Sequence, residues 1–186
     1  MGVASQIVTL AEYLKMEYPD GVKDELIKGE VVISPAAKPN HQIIAKRLME
    51  LLDKIVDSAK FEVSFDNSIV VEPTDPASMP RPDVFVMGRA RFRAAAAEDR
   101  YPEGSPELAV EIVSPSNSKK KLAEKTELYL ANGSLEVWIV HIKARTVTVW
   151  KKGGKSIEYR EGEMLPLPAR LSKRSLQISD IFSVLH

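Results

Sequence analysis

The chain has 186 residues, 44% apolar and 28% charged, close to the averages of soluble globular proteins, which excludes disorder, collagen and a long coiled coil. Lysine plus arginine and aspartate plus glutamate number 26 each, so the whole molecule exerts no net pull on a polyanion, and nucleic acid needs a local basic patch. Cysteine is absent, which excludes disulfides, thiolate zinc sites and thiol nucleophiles and leaves oxygen or imidazole to hold any metal.

Thr9 and Glu12 have the spacing of a capping box, and Leu10, Tyr13 and Leu14 follow at helical intervals, so a short opening helix is predicted, ending before Pro19-Asp20-Gly21. Glu25-Leu26-Ile27 and Glu30-Val31-Val32-Ile33 flank Lys28-Gly29, the pattern of a β-hairpin. Ile44, Leu48, Leu51 and Ile55 share one helical face, with Lys46, Arg47, Glu50 and Lys54 on the other. Strands are predicted over 61–65, 68–71 and 84–87 as neighbours in one sheet, with a turn at Pro73-Thr74-Asp75-Pro76. Alanine and arginine favour a helix over 89–100, closed by a loop at 102–106.

The run 108–113 is apolar on both faces apart from one residue, which marks a central strand stopped at Ser114-Pro115-Ser116. A helix over 119–131 then leads through Asn132-Gly133 into a buried strand at 137–140, forming a strand-helix-strand crossover. Val147 and Val149 alternate with Thr146 and Thr148, the chain turns at Gly153-Gly154, and a small helix is predicted over 180–185. The expected architecture is α/β (α+β), a mixed central sheet flanked by helices, with an N-terminal hairpin and C-terminal antiparallel strands. Without linker or repeat, 1–186 reads as a single domain. No apolar run approaches the roughly 18 residues of a membrane span, and the N-terminus lacks a signal-peptide plan, so a cytoplasmic protein without a membrane partner is expected.

The residue that interrupts the central strand is Glu111. An unpaired carboxylate buried there would cost several kcal/mol, so the group is expected to be protonated, paired with a buried lysine or arginine, or bound to a metal ion. Asp83 lies between Pro82 and the apolar run Val84-Phe85-Val86, at the mouth of a strand, where it either joins Glu111 or satisfies backbone N–H groups of a turn. Lys125 is one turn from Leu122 and from Tyr129, so it flanks the inward face of its helix.

These residues, together with Glu25-Leu26-Ile27, Gly29-Glu30, Ser34-Pro35, His41, Arg81-Pro82-Asp83, Glu111-Ile112-Val113-Ser114-Pro115-Ser116, Glu124-Lys125, Leu128-Tyr129, Glu136 and Trp138-Ile139-Val140, stand in an order and spacing that resembles the Uma family of restriction-endonuclease-like proteins, within the PD-(D/E)xK nuclease superfamily. The resemblance runs from about Asp24 to the last helix. It implies metal-dependent hydrolysis of phosphodiester bonds in DNA, with Mg²⁺, or Mn²⁺, bound by Asp83, Glu111 and the backbone carbonyl of Ile112. Glu30 is then the third acid and Lys125 the lysine that positions water, with His41 and Glu25 supporting them. The chain departs from the local acid-x-lysine motif, having Val113 two residues after Glu111, and it carries Lys121 and His141 where the family often has acids. Lys119, Lys120 and Lys121 form either a solvated charge run or a grip on a phosphate backbone. The competing expectation is a nuclease-fold module that binds nucleic acid or a protein without cutting. A third expectation is a purely structural homodimer, with Trp138, Trp150 and the C-terminal strands as its apolar edge, and a homodimer would equally suit a nuclease that cuts two strands.

Overall fold

The structure, a computed structural model, describes residues 7–114 and 118–185. Pro115 and Ser116, where the central strand was expected to stop, lie outside the described residues. Helix α1 (Leu10–Tyr13) opens with the reciprocal Thr9–Glu12 capping box, and β1 (Val22–Ile27) and β2 (Glu30–Pro35) form the hairpin. Lys28 and Gly29 both take positive φ, 49° and 75°, as a two-residue turn between right-twisted strands requires. A Cβ on Gly29 would lie 2.5 Å from the Ile7 side chain, so glycine is demanded twice.

Helix α2 (Pro39–Ile55) starts on proline and buries Ile44, Ala45, Leu48, Leu51 and Leu52 along one stripe. Six strands follow: β3 (Phe61–Phe65), β4 (Val84–Gly88), β5 (Leu108–Ile112), β6 (Glu136–His141), β7 (Thr146–Lys151) and β8 (Lys155–Arg160), hydrogen-bonded in that order. Only β5 and β6 run parallel, joined through α4 (Lys119–Ala131); the other pairs are antiparallel. Helix α3 (Arg89–Ala97) links β4 towards β5, while β9 (Met164–Pro166) and β10 (Ser175–Gln177) make a small antiparallel pair before α5 (Ile178–Phe182).

Side chains alternate across the sheet and create two cores. Val84, Val86, Leu108, Val110, Ile112, Trp138 and Val140 face α2 and α5, whereas Phe85, Met87, Ala109, Val137 and Ile139 face Leu128, Tyr129 and Leu130 of α4. The hairpin lies on the α4 side, through Ile27, and closes a third cluster of Tyr13, Leu26, Val70, Ala77 and Met79.

Two expectations are corrected. Residues 68–71 are not a strand of the central sheet: Ile69 N donates to Pro80 O, Val70 N to Pro102 O and Val71 N to Ser78 O, so the segment is clamped by three loop carbonyls instead of a regular ladder. Prolines 73, 76, 80 and 82 on the returning chain supply no N–H for such a ladder. Trp138 cannot form a dimerisation edge, because it is fully buried with its indole N–H on Glu136, and Trp150 packs partly buried against the α4-side core. The edge strand at that end of the sheet is β8.

Candidate active site

Antiparallel pairing sets Val84 opposite Val110 and Phe85 opposite Ala109, so extending the register by one pair brings Asp83 level with Glu111 on the α4 face. The Asp83 N–H donates to Val110 O at 3.1 Å, continuing the ladder. Asp83 Oδ2 accepts the Ile112 N–H at 2.7 Å and lies 3.2 Å from His41 Nε2, while Oδ1 is 2.7 Å from Lys23 Nζ. Burial pushes the Asp83 carboxyl up, but Lys23, His41 and Lys125 outweigh it and hold the group well below the ordinary carboxylate range.

Glu111 is 1% exposed. Its Oε1 accepts from Lys125 Nζ at 2.6 Å and from the Tyr129 hydroxyl at 3.0 Å. Lys125 Nζ is also 2.7 Å from Glu25 Oε1, which in turn accepts the Arg81 N–H at 2.7 Å. One ammonium is therefore shared by two acids. Burial raises the Glu111 carboxyl, Lys125 only partly offsets it, and Asp83 and Glu25 push it further up. Burial alone would discharge Lys125, yet Glu111, Glu25 and Asp83 reverse the effect and keep it protonated. Tyr129 is likewise held as a neutral donor, by its burial and the adjacent Glu111.

The three acids Asp83, Glu111 and Glu25 thus face two ammonium groups at the floor of a cleft of about 940 Å³ between the hairpin, the first half of α2 and the start of α4. Such a network is costly to desolvate and does little for stability beyond what apolar packing would provide; strongly shifted groups converging on a cleft mark a site of function. Among the described residues, no three histidine, aspartate or glutamate side chains are arranged as a ready metal cage.

The sequence-predicted residues divide as follows. Asp83, Glu111, Lys125, His41 and Glu25 meet in this cluster. Ile112 reaches it through its N–H on Asp83, and its residue also lines the cleft. Glu30, paired with Ile27, shares the cleft-facing side of the hairpin but stands exposed two cross-strand pairs beyond Glu25, so Glu25 is the acid that reaches Lys125. Lys121 lines the cleft; Lys119 and Lys120 are exposed at the start of α4, Lys120 being 3.8 Å from Glu124.

A profile of the Uma2 family, described as "Putative restriction endonuclease", matches residues 10–180. The chain belongs to the Uma2 family. The resemblance read from the motifs is thereby borne out, and Uma2 membership supports a nuclease. The solved structure of a protein from Anabaena variabilis described as "a putative nuclease belonging to DUF820" matches the Uma2 chain with a TM-score of 0.80 and 21% identity, over 95% of this chain and 98% of that one. That likeness shows the fold. A comparison with curated proteins returns no match.

Two residues of this cluster had no role in the expected site: Lys23, and Tyr129, which the motifs include without a task. Lys23 lies two positions before Glu25 and so shares its strand face, and Tyr129 lies four positions after Lys125 and so shares its helix face. Both signals were present, but only the fold of the hairpin over the sheet shows which acid each one meets.

Proposed function

We propose that this Uma2 chain hydrolyses phosphodiester bonds in DNA with Mg²⁺, or Mn²⁺, held by Asp83 and Glu111. The observation that carries the reading is the convergence of three buried acids and Lys125 at the floor of one cleft, on one face of the sheet. The donors fit the ion: they are hard oxygens, and Mg²⁺ is commonly held by one or two carboxylates while it keeps several waters. The Ile112 carbonyl would add a further oxygen. When bound, the cation supplies Lewis-acid activation of water and neutralises charge on the phosphoryl oxygens.

The chain's own groups do the positioning. Lys125 is held protonated and has only donors to offer, so it orients a water and stabilises negative charge and does not act as a base. Glu25 fixes the Lys125 ammonium from one side as Glu111 does from the other, the supporting place expected of it, and it stands nearer the cluster than Glu30, the expected third acid. Tyr129 fixes Glu111, while Lys23 and His41 keep Asp83 ionised. Lys121 at the cleft, with Lys119 and Lys120 beside it, is placed to meet the phosphate backbone. A second copy of the chain would supply the second site needed to cut both strands.

A specific observation favours a second reading: Lys23 and Lys125 already serve the acids as built-in cations, which would suit a module that binds nucleic acid without cutting. One set of measurements separates the two. Under the nuclease reading, calorimetry detects Mg²⁺ or Mn²⁺ binding that Asp83→Asn abolishes, and DNA cleavage falls about 10²-fold or more in Glu111→Gln. No heat at millimolar metal, together with no cleavage, leaves the binding module.

A further inference from the structure

The surface holds a second concentration of charge, at the far end of α2 from the cleft. The last turn of α2 and the loop 169–174 enclose a shallow groove lined by five cations, Lys54, Lys60, Arg170, Lys173 and Arg174, and a single acid, Asp57. The groove is built into the fold. Leu171 is 1% exposed and anchors the loop, the Asp57 N–H donates to Leu171 O at 3.3 Å, and Arg174 Nη1 donates to Lys54 O at 3.3 Å.

The charge there is left over. Lys60 pairs with Asp57 at 2.9 Å, but Lys54, Arg170, Lys173 and Arg174 have no carboxylate within ion-pair distance among the described residues. The other cationic cluster, around α3, differs: Arg89 and Arg93 pair with Glu62, Arg91 with Glu107, and Arg100 with Glu98 and Glu103. Cations near the C-terminus of α2 offset its dipole, a task that Arg174 meets through the Lys54 carbonyl, and the remaining charge exceeds it. In a chain whose total charge is zero, this surplus is, besides the Lys119–Lys121 run at the cleft, a local patch that a polyanion would find.

We infer that this groove is a docking site for the sugar-phosphate backbone of nucleic acid, engaged by the stretch that flanks the position of cutting. The choice of nucleic acid as the polyanion rests on the nuclease reading; the groove itself does not. Its chemistry selects against other partners. Among the described residues, none of the exposed large apolar side chains lies in the groove, whereas a lipid surface or a protein partner needs apolar anchors. Phosphate contacts by lysine and arginine need none.

Helix α2 fixes the distance. From His41 at the catalytic cleft to Lys54 the helix rises about 20 Å at ~1.5 Å per residue, which corresponds to about six phosphates of one strand of a duplex. The groove therefore grips DNA that extends beyond about six base pairs from the cut, and shorter fragments gain nothing from it.

The test compares wild-type protein with the Lys54→Gln/Arg170→Gln/Lys173→Gln variant, leaving the helix-capping Arg174 in place. Fluorescence anisotropy is recorded in EDTA with labelled duplexes of about 6 and 20 base pairs over a range of salt, and unchanged thermal melting confirms that the variant is folded. The wild type should bind the long duplex at least about tenfold more tightly than the short one, and the variant should lose that gain. Its slope of log affinity against log salt should also be shallower by about two to three, since each phosphate contact accounts for ~0.9. Equal affinity and slope in the two proteins overturns the inference, as does a groove-dependent attachment to anionic lipid vesicles without binding to DNA. The catalytic reading fails separately: groove-dependent binding without metal-dependent cleavage would leave the docking site standing, and cleavage unaffected by the variant at any length would remove only the docking site.

Discussion

The parallel strands β5 and β6 carry one buried carboxylate each, at opposite ends, and the two environments differ in kind. Glu136, the first residue of β6, is 4% exposed; its Oε2 accepts the Trp138 indole N–H at 2.9 Å and its Oε1 is 3.0 Å from Lys151 Nζ. Each oxygen has its own partner, and one acid meets one cation. Glu111, near the end of β5, places both Lys125 and Tyr129 on the same oxygen, and that lysine is divided with Glu25 while Asp83 adds further negative charge. Burial of an acid is common to the two ends. A surplus of acids over cations, opening into a cleft, belongs to one of them.

The largest effect that tests this contrast is expected from Lys125→Met. Removing the shared ammonium leaves Glu25 and Glu111 unpaired in the interior, and stability should fall by about 3–5 kcal/mol, the range for breaking a buried pair. Added Mg²⁺ should raise the melting temperature of this variant more than that of the wild type, because an ion that binds only the folded state stabilises it. Equal shifts in differential scanning fluorimetry would contradict the idea that the acids form a cation site.

Next comes Glu136→Ala. The indole N–H of Trp138 is left without an acceptor in the core, at about 1–3 kcal/mol, with little added for Lys151, which is 49% exposed and returns to water. Chemical denaturation should show that loss, and the cleavage rate of the folded fraction should match the wild type. A parallel loss of cleavage would mean that the two ends are not independent.

The smallest effect is a pH dependence of opposite sign at the two acids of the site. Asp83 is held below its ordinary value of 3.8, so the stability it contributes is complete above that pH and is lost as pH falls through its lower folded value. Glu111 is held above its ordinary value of 4.5, so the folded chain keeps a proton that the unfolded chain releases, and stability declines as pH rises above 4.5 through the raised value. Urea denaturation from pH 4.5 towards neutrality should show the metal-free wild type losing stability relative to Glu111→Gln. Apparent Mg²⁺ affinity should rise over the same interval as the proton leaves.

Local patterns made much of this legible. An acid inside an apolar run exposed Glu111, helical phase turned Lys125 inward, and the capping box, the amphipathic α2 and the β5-α4-β6 crossover all stand where periodicity put them. Residues 68–71 have strand-like composition, but long-range partners decide strand membership, and those partners are loop carbonyls. The choice between Glu25 and Glu30 was beyond local pattern for a similar reason: strand parity puts both on the same side of the hairpin, and only its seat on the sheet distinguishes them. The basic groove joins residues more than 100 positions apart, so no window of sequence contains it.

The hairpin is sewn to the chain that leads into Asp83. Leu26 and Met79 exchange backbone bonds, the Gly29 N–H donates to Ala77 O, the Lys28 N–H to Ser78 Oγ, and the Arg81 N–H to Glu25. Glu25 therefore rides on a small jaw fastened to the chain that leads into Asp83, whereas Asp83 itself is tied to β5 through Val110 O and the Ile112 N–H and belongs with Glu111 and Lys125 to the opposing anvil of sheet and α4. A pull on the tip at Gly29 would bear first on the gap between Glu25 and that anvil, which makes the distance from Glu25 to Lys125 a mechanical quantity set by how firmly this small flap is seated.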